Sequence, residues 1–150
     1  GSYSVGFGYT GEFQAISRGM VPATKQAQTI VTNQQRSFTV VIPAGTAYAR
    51  FGIYDSDISL PNTDLDLYVY KGATEIGSSA DGDSNEVVSL RNPAPGTYTV
   101  YVVGYSVPGG PANFNLYSWA LTSESSGSML LRAPATAVNG TTGQITVNLC

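Results

Sequence analysis

The chain has 150 residues, the size of one domain, and charged residues make up only 11% of it. Histidine is absent, which excludes a Ser-His-Asp triad, a Cys-His pair and a His-ligated zinc site within this chain. Seven basic and ten acidic residues leave a net charge of −3. The basic residues are scattered, which argues against nucleic acid as a partner.

In chain order, the sequence alternates polar and apolar residues with the period of a β-strand, and no window has a helical period. This pattern predicts strands at residues 3–9, 12–16, 36–42, 48–54, 64–70, 74–78, 86–90, 97–105, 113–121, 129–132 and 145–149. Turns rich in Gly, Pro and Asp separate them. Short strands at this spacing predict an all-β fold, an antiparallel β-sandwich or jelly roll.

The predicted domain organisation is one β-sandwich over residues 1–125 and a C-terminal extension over residues 126–150. The extension is either the start of a following module or a final strand. Cys150 is the only cysteine, so no internal disulfide forms. The uncharged stretch 92–123 alternates polar with apolar residues and is interrupted by Pro and Gly, so no membrane span is predicted.

Acidic residues are concentrated in one window of the sequence. Residues 55–86 hold eight of the ten acids and one base, a net charge of −7, whereas the rest of the chain carries +4. The aspartates of this window form three pairs with i, i+2 spacing: Asp55 with Asp57, Asp64 with Asp66, and Asp81 with Asp83. Such spacing points both carboxylates to one side of an extended chain. Clustered oxygens are the ligands that Ca²⁺ prefers, so the first two pairs are candidate metal ligands and the third is a secondary group.

Other roles for these carboxylates remain open. Aspartate is a common turn former, and acidic surfaces aid solubility. Paired carboxylates also carry out glycoside hydrolysis, but nothing in the sequence besides the acids supports that chemistry. The chain is therefore predicted not to be an enzyme.

Tyrosine is the other residue type that suggests a binding role, with ten copies in the chain. Alternation in the predicted strands 64–70 and 97–105 places four of them outward: Tyr68, Tyr70, Tyr101 and Tyr105. Outward tyrosines on neighbouring strands form a rigid amphipathic surface that suits proteins or sugars as ligands. Tyrosine is also favoured in strands on propensity alone, and such a face can be covered by other segments. Trp119 alternates in phase with Tyr117 and Leu121 and is predicted to lie in the core.

Three motifs of the sequence together resemble a known family. They are Asp64-Leu-Asp-Leu-Tyr-Val-Tyr70, Asn92-Pro-Ala-Pro-Gly-Thr-Tyr-Thr-Val-Tyr-Val102 and Ala112-Asn-Phe-Asn-Leu-Tyr-Ser-Trp119. In this order and spacing they resemble the bacterial pre-peptidase C-terminal domain, a β-sandwich appended to secreted peptidases, over residues 26–122. Residues 42–51 and 133–136 look closest to the version that follows secreted subtilisin-like serine peptidases.

The resemblance implies an extracellular, secreted accessory module without catalytic activity of its own. Related modules on bacterial collagenases bind Ca²⁺ and hold collagen through surface tyrosines. On that basis, Asp64 and Asp66 match the aspartates of the family's Asp-x-Asp strand, and Tyr101 and Tyr105 lie in the matching tyrosine-rich strand. Collagenase modules draw further calcium ligands from an acidic N-terminal linker, whereas Glu12 is the only acid in the first 54 residues of this chain.

The function predicted from the sequence is that of a C-terminal accessory module of a secreted subtilisin-like serine peptidase. It would stabilise the parent enzyme, aid its export, or hold it on a protein substrate such as collagen. Its partner would then be the parent catalytic domain. The alternative is a stand-alone carbohydrate-binding or adhesion module that uses the same tyrosine face.

Overall fold

The structure, a computed structural model, describes residues 1–17, 21–123 and 129–149. These fall into two compact units: the terminal unit, residues 1–17, 21 and 129–149, and the central unit, residues 22–123. The strands are β1 Ser2–Gly6, β2 Gly11–Glu12, β3 Thr24–Ile30, β4 Gln35–Ile42, β5 Tyr48–Gly52, β6 Asp64–Lys71, β7 Thr74–Ser79, β8 Val87–Arg91, β9 Gly96–Ser106, β10 Ala112–Leu121, β11 Met129–Arg132, β12 Thr136–Ala137 and β13 Thr142–Leu149. A 3-10 turn, Asp55–Asp57, follows β5.

The central unit is an antiparallel sandwich of two four-stranded sheets. One sheet has the strand order β3-β10-β5-β8 and the other β4-β9-β6-β7. Every neighbouring pair is antiparallel. The β6–β7 hairpin joins consecutive strands within one sheet, and the other connections cross between the sheets, as in jelly rolls. The predicted all-β sandwich is therefore confirmed.

Alternation along the strands builds the core between the two sheets. Leu65, Leu67 and Val69 of β6 are completely buried, and Phe51 and Phe114 meet them from the opposite sheet in the same hydrophobic cluster. Each such side chain contributes about 1.5–3 kcal/mol when removed from water. The other side of each strand faces outward, and this side carries the candidate site residues.

The terminal unit contains a three-stranded sheet, β1-β13-β11, and a two-stranded sheet, β12-β2. Gly143 of β13 is required by packing, because a Cβ there would lie 2.6 Å from the ring of Phe7. The structure thus divides the chain differently from the predicted boundary between residues 125 and 126. The reason is that β1 pairs with β13 along its whole length, which joins the two chain ends in one unit. Cys150 lies outside the described residues.

The sequence pattern misses β3, which runs along one edge of its sheet beside β10. Most of its side chains are exposed, and only Ile30 is buried. An edge strand with so little buried surface has no apolar alternation to detect. The described residues include no helix long and apolar enough to cross a membrane.

Candidate functional site

Five acidic side chains gather where β6 begins and the loop between β7 and β8 passes it. This carboxylate cluster consists of Asp64, Asp66, Asp81, Asp83 and Glu86. Ligand atoms of the last three lie within 4.8 Å of one another, and Asp64, Asp66 and Asp81 line one shallow pocket. The structure therefore brings the second predicted pair together with the secondary group.

The loop that carries Asp81 and Asp83 is fastened to its surroundings on two sides. The buried Ser84 hydroxyl donates to the Thr63 carbonyl at 2.8 Å and accepts from the Leu65 amide at 3.0 Å. Asp55 accepts from the Ser84 amide at 3.0 Å and from the Asn85 side chain at 2.7 Å. Asp55 thus lies beside the cluster and holds its loop in place.

Glu86 belongs to the cluster, although the i, i+2 spacing of the aspartates does not point to it. Its side chain is completely buried. One carboxylate oxygen accepts from the Asp81 amide at 2.9 Å, and the other accepts from the Ser79 hydroxyl. The feature of the sequence that indicates its burial is its position directly before the apolar residues Val87 and Val88, where the acidic turn ends and β8 begins.

Within the cluster, the charged forms of Asp64 and Asp66 are destabilised. Burial raises the pKa of Asp64, and the neighbouring charges of Asp81, Asp83 and Asp55 raise it further. Burial also raises the pKa of Asp66, with contributions from Asp64 and Glu86, although a hydrogen bond from Tyr68 partly offsets the increase. Asp66 is only 8% exposed.

The Asp64 side chain has an unfilled bonding position. Its buried Oδ1 has no hydrogen-bond partner among the described residues. Buried polar atoms without a partner are rare, because leaving one unpaired costs about 1–3 kcal/mol. A hard cation would supply the missing partner and offset the repulsion. The donor set, carboxylate oxygens with nearby hydroxyls and carbonyls, fits Ca²⁺.

Asp57 lies apart from the carboxylate cluster and has its own partners. Its Oδ2 accepts from the Tyr117 hydroxyl at 2.8 Å and from the Asn115 side-chain amide on β10. These two hydrogen bonds lower the pKa of the carboxyl. The i, i+2 argument presupposes an extended chain, whereas Asp55–Asp57 is a 3-10 turn, so the two side chains diverge.

Three of the four predicted tyrosines form a cleft on the outer side of the β4-β9-β6-β7 sheet. This tyrosine cleft, about 490 Å³, is lined by Gln35, Tyr68, Tyr70, Gly72, Ala73, Tyr101 and Val103. The rings of Tyr70 and Tyr101 meet edge to face at 5.4 Å. The Tyr70 hydroxyl donates to Glu75 at 2.8 Å, which raises the pKa of Tyr70.

Tyr105 lies outside the tyrosine cleft. It points to the same side of β9 as Tyr101, is 68% exposed, and lines the pocket of Asp64 and Asp66 instead. The outward phase predicted for all four tyrosines agrees with their exposure along the strands. The structure nevertheless separates them into one group of three and one isolated residue.

The prediction that Trp119 lies in the core is wrong. The buried residues of β10 are Ala112, Phe114, Leu116 and Ser118, so Tyr117 and Trp119 point outward and are half-buried. The alternation of residues along β10 contains the information that corrects this prediction. Asn113 and Asn115 lie on the same side of the strand as Trp119, and because unpaired amides are costly to bury, they indicate that this side faces outward.

Residues 31–104, which lie within the central unit, match the family described as the bacterial pre-peptidase C-terminal domain. This segment belongs to that family. The pre-peptidase C-terminal domain is non-catalytic, in line with the prediction that the chain itself is not an enzyme. The match includes Asp64, Asp66 and the three tyrosines of the cleft.

Two known proteins are similar to the chain that carries this pre-peptidase C-terminal domain. Pyrolysin of Pyrococcus furiosus is 31% identical over 112 residues, which cover 70% of this chain and 8% of pyrolysin. The chain thus spans less than a tenth of the length of this relative. The crystal structure of Aeromonas hydrophila PliG, a periplasmic lysozyme inhibitor of g-type lysozyme, has a TM-score of 0.47 and 16% identity. That match covers 72% of this chain and 93% of PliG.

Proposed function

We propose that this chain is a non-catalytic accessory module of a secreted subtilisin-like serine peptidase and acts outside the cell. The observation that carries the proposal is its pre-peptidase C-terminal domain, combined with a match to only 8% of the length of pyrolysin. A homologous segment is thus a small part of a much longer protein. The parent catalytic domain is the proposed partner in the same polypeptide.

The proposed role of the tyrosine cleft is to hold the peptidase on an insoluble protein substrate such as collagen. Tyrosine rings supply a large contact area, and their two torsion angles limit the entropy lost on binding. The Tyr70 ring is already positioned by Tyr101 and by its hydrogen bond to Glu75. A preorganised surface of this kind binds without first being ordered.

The proposal includes stabilisation by calcium at the carboxylate cluster. Asp64 and Asp66 would be ligands together with Asp81 and Asp83, and Asp55 would hold the loop. The unpartnered Oδ1 of Asp64 and the raised pKa values of Asp64 and Asp66 support a bound cation. A bound ion would join the beginning of β6 to the β7–β8 loop, and so stabilise the folded module by mass action.

Retention on insoluble collagen tests the tyrosine cleft. The Tyr101→Ala chain is expected to lose retention at least about tenfold, as for an aromatic residue central to an interface. Tyr105→Ala is the matched control, because Tyr105 lies on the same side of β9 but outside the cleft. Equal retention of Tyr101→Ala and the unmodified chain would contradict the role of the cleft.

The accessory role is tested in the protein that contains this chain. We expect a subtilisin-like catalytic domain in the same polypeptide, and its absence would refute the proposal. In that full-length peptidase, Tyr101→Ala is expected to slow cleavage of insoluble collagen and leave cleavage of a short soluble peptide unchanged. If the chain instead binds neutral polysaccharides and Tyr101→Ala abolishes that binding, the carbohydrate-binding alternative replaces the protein-substrate role.

A further inference from the structure

The outer side of the β3-β10-β5-β8 sheet carries a second aromatic surface, which neither the family nor the proposed function explains. Its centre is a cleft of about 260 Å³ lined by Tyr48, Arg50, Trp119 and Leu121. We call it the tryptophan cleft. Strand register builds it, because Trp119 lies opposite Arg50, and Leu121 lies opposite Tyr48.

Aromatic rings continue from the tryptophan cleft along β10. The Tyr117 and Trp119 rings are nearly parallel, 20° apart, with centroids separated by 6.0 Å. The Tyr54 ring follows at 5.8 Å from Tyr117. It lies over Gly52, where a Cβ would come within 2.7 Å of the Tyr54 hydroxyl oxygen. The glycine thus makes room for a third ring in the row.

Basic side chains border these rings. The Arg50 guanidinium lies 5.7 Å from the Tyr48 ring centroid, and the Lys25 ammonium lies 5.6 Å from that of Tyr117. Arg50 donates to two hydroxyl groups, those of Ser89 at 3.3 Å and Tyr48 at 3.2 Å. Among the described residues, no carboxylate forms an ion pair with it within 4.0 Å.

A second arginine adds to the positive charge. Arg91 lies opposite Tyr48 in the register of β5 and β8. Hydrogen bonds from Ser89 and Arg50 lower the pKa of the Tyr48 hydroxyl, and the charges of Arg50 and Arg91 lower it further. Because Arg91 pairs with Tyr48 across the two strands, it lies beside the end of the cleft that Tyr48 and Arg50 line. An arginine guanidinium offers paired donors whose geometry matches a carboxylate.

We propose that the tryptophan cleft binds a carboxylated sugar unit of an acidic polysaccharide. The Trp119 and Tyr48 rings would pack on the apolar C–H face of the sugar, while Arg50 and Arg91 bind its carboxylate. Neighbouring units of the polymer would follow the rings of Tyr117 and Tyr54.

The size and shape of the cleft favour a sugar over an acidic peptide. Its volume of about 260 Å³ is below the usual 300–1,000 Å³ of small-molecule pockets and suits one ring-shaped unit. A glutamate or aspartate side chain brings a carboxylate but no rigid apolar face for Trp119. The proposal shares no residue with the tyrosine cleft and stands independently of the proposed function.

Affinity gel electrophoresis with polygalacturonate tests this proposal, with dextran as the neutral polymer and polyglutamate as the acidic peptide. Polygalacturonate is expected to retard the chain, and the retardation should weaken as salt is added. Trp119→Ala and Arg50→Gln are each expected to weaken binding at least about tenfold, the loss typical of a central interface residue. Tyr101→Ala, on the opposite sheet, should bind as the unmodified chain does.

Three results would overturn the proposal: no retardation by polygalacturonate, equal retardation by dextran, or equal or stronger binding to polyglutamate. Thermal unfolding of each variant checks that the fold is intact. Arg50→Lys provides a second probe of the exposed arginine if Trp119→Ala does not fold. It keeps the charge but loses the paired donors, so binding between that of Arg50→Gln and the unmodified chain is expected, and unchanged binding would contradict bidentate recognition.

Discussion

Asp55 and Asp57 have the same i, i+2 spacing as Asp64 and Asp66, yet the surroundings of the two pairs differ. The first pair is supplied with donors: Asp55 bonds to Ser84 and Asn85, and Asp57 to Tyr117 and Asn115. The second pair is half-buried or buried among other carboxylates, and Asp64 Oδ1 has no donor among the described residues.

The difference shows what decides the role of a clustered carboxylate. Hydrogen bonds to the charged form lower the pKa of Asp57, whereas burial and like charges raise the pKa of Asp64 and Asp66. Asp57 is therefore a structural group already satisfied by the protein. Asp64 and Asp66 lack such compensation, and they are the proposed ligands of an external cation.

The largest expected effect is a loss of stability on substitution of Asp57, and its independence from Ca²⁺ distinguishes Asp57 from the second aspartate pair. Asp57→Ala should lower the free energy of unfolding by about 2 kcal/mol, because it removes the charged acceptor of Tyr117 and Asn115. The loss should be the same with Ca²⁺ and with chelator. Urea unfolding under both conditions measures it, and a loss that appears only with Ca²⁺ would place Asp57 among the metal ligands.

Asp64→Asn should act in the opposite direction in the metal-free protein. Removing one charge from the carboxylate cluster relieves like-charge repulsion, so we expect a gain of about 1 kcal/mol in chelator. In Ca²⁺ the same variant should be less stable than the unmodified chain. Urea unfolding in both buffers checks this reversal of sign, and a loss of stability in chelator would contradict the account.

The pH dependence of the free energy of unfolding should also distinguish the two aspartate pairs, by a smaller amount. The folded protein protonates Asp64 and Asp66 at a higher pH than the unfolded chain does, so it binds more protons between the two pKa values. Stability of the metal-free protein should thus rise as pH falls from 7 towards about 4, the unfolded aspartate pKa. The contribution of Asp57 is present above that value and is lost only at lower pH.

Unfolding free energies at pH 7, 5.5 and 4.5 in chelator measure this pH dependence. The double variant Asp64→Asn, Asp66→Asn should have a flatter profile than the unmodified chain. Asp57→Asn is the control, and its slope over this range should match that of the unmodified chain. A steeper slope in the double variant would contradict the assignment.

The sandwich was predictable from sequence because β6 and β9 alternate apolar and polar residues almost without interruption. The edge strand β3 was not, since its side chains are mostly polar and exposed. For the site, the shared side of Asp64 and Asp66 follows from strand geometry. The positions of Asp57 and Glu86 depend on a 3-10 turn and on a loop fastened by Ser84, and neither contact leaves a local pattern in the sequence.

Thermal unfolding with and without Ca²⁺ tests the central claim, that the carboxylate cluster binds a stabilising cation, most directly. The unmodified chain is expected to melt at a higher temperature in millimolar Ca²⁺ than in chelator. Once the site is saturated, its free energy of unfolding should grow by about 1.4 kcal/mol for each tenfold increase in free Ca²⁺. Asp64→Asn should lose this dependence, and Asp57→Asn should keep it. Identical melting of the unmodified chain in Ca²⁺ and in chelator would contradict the account.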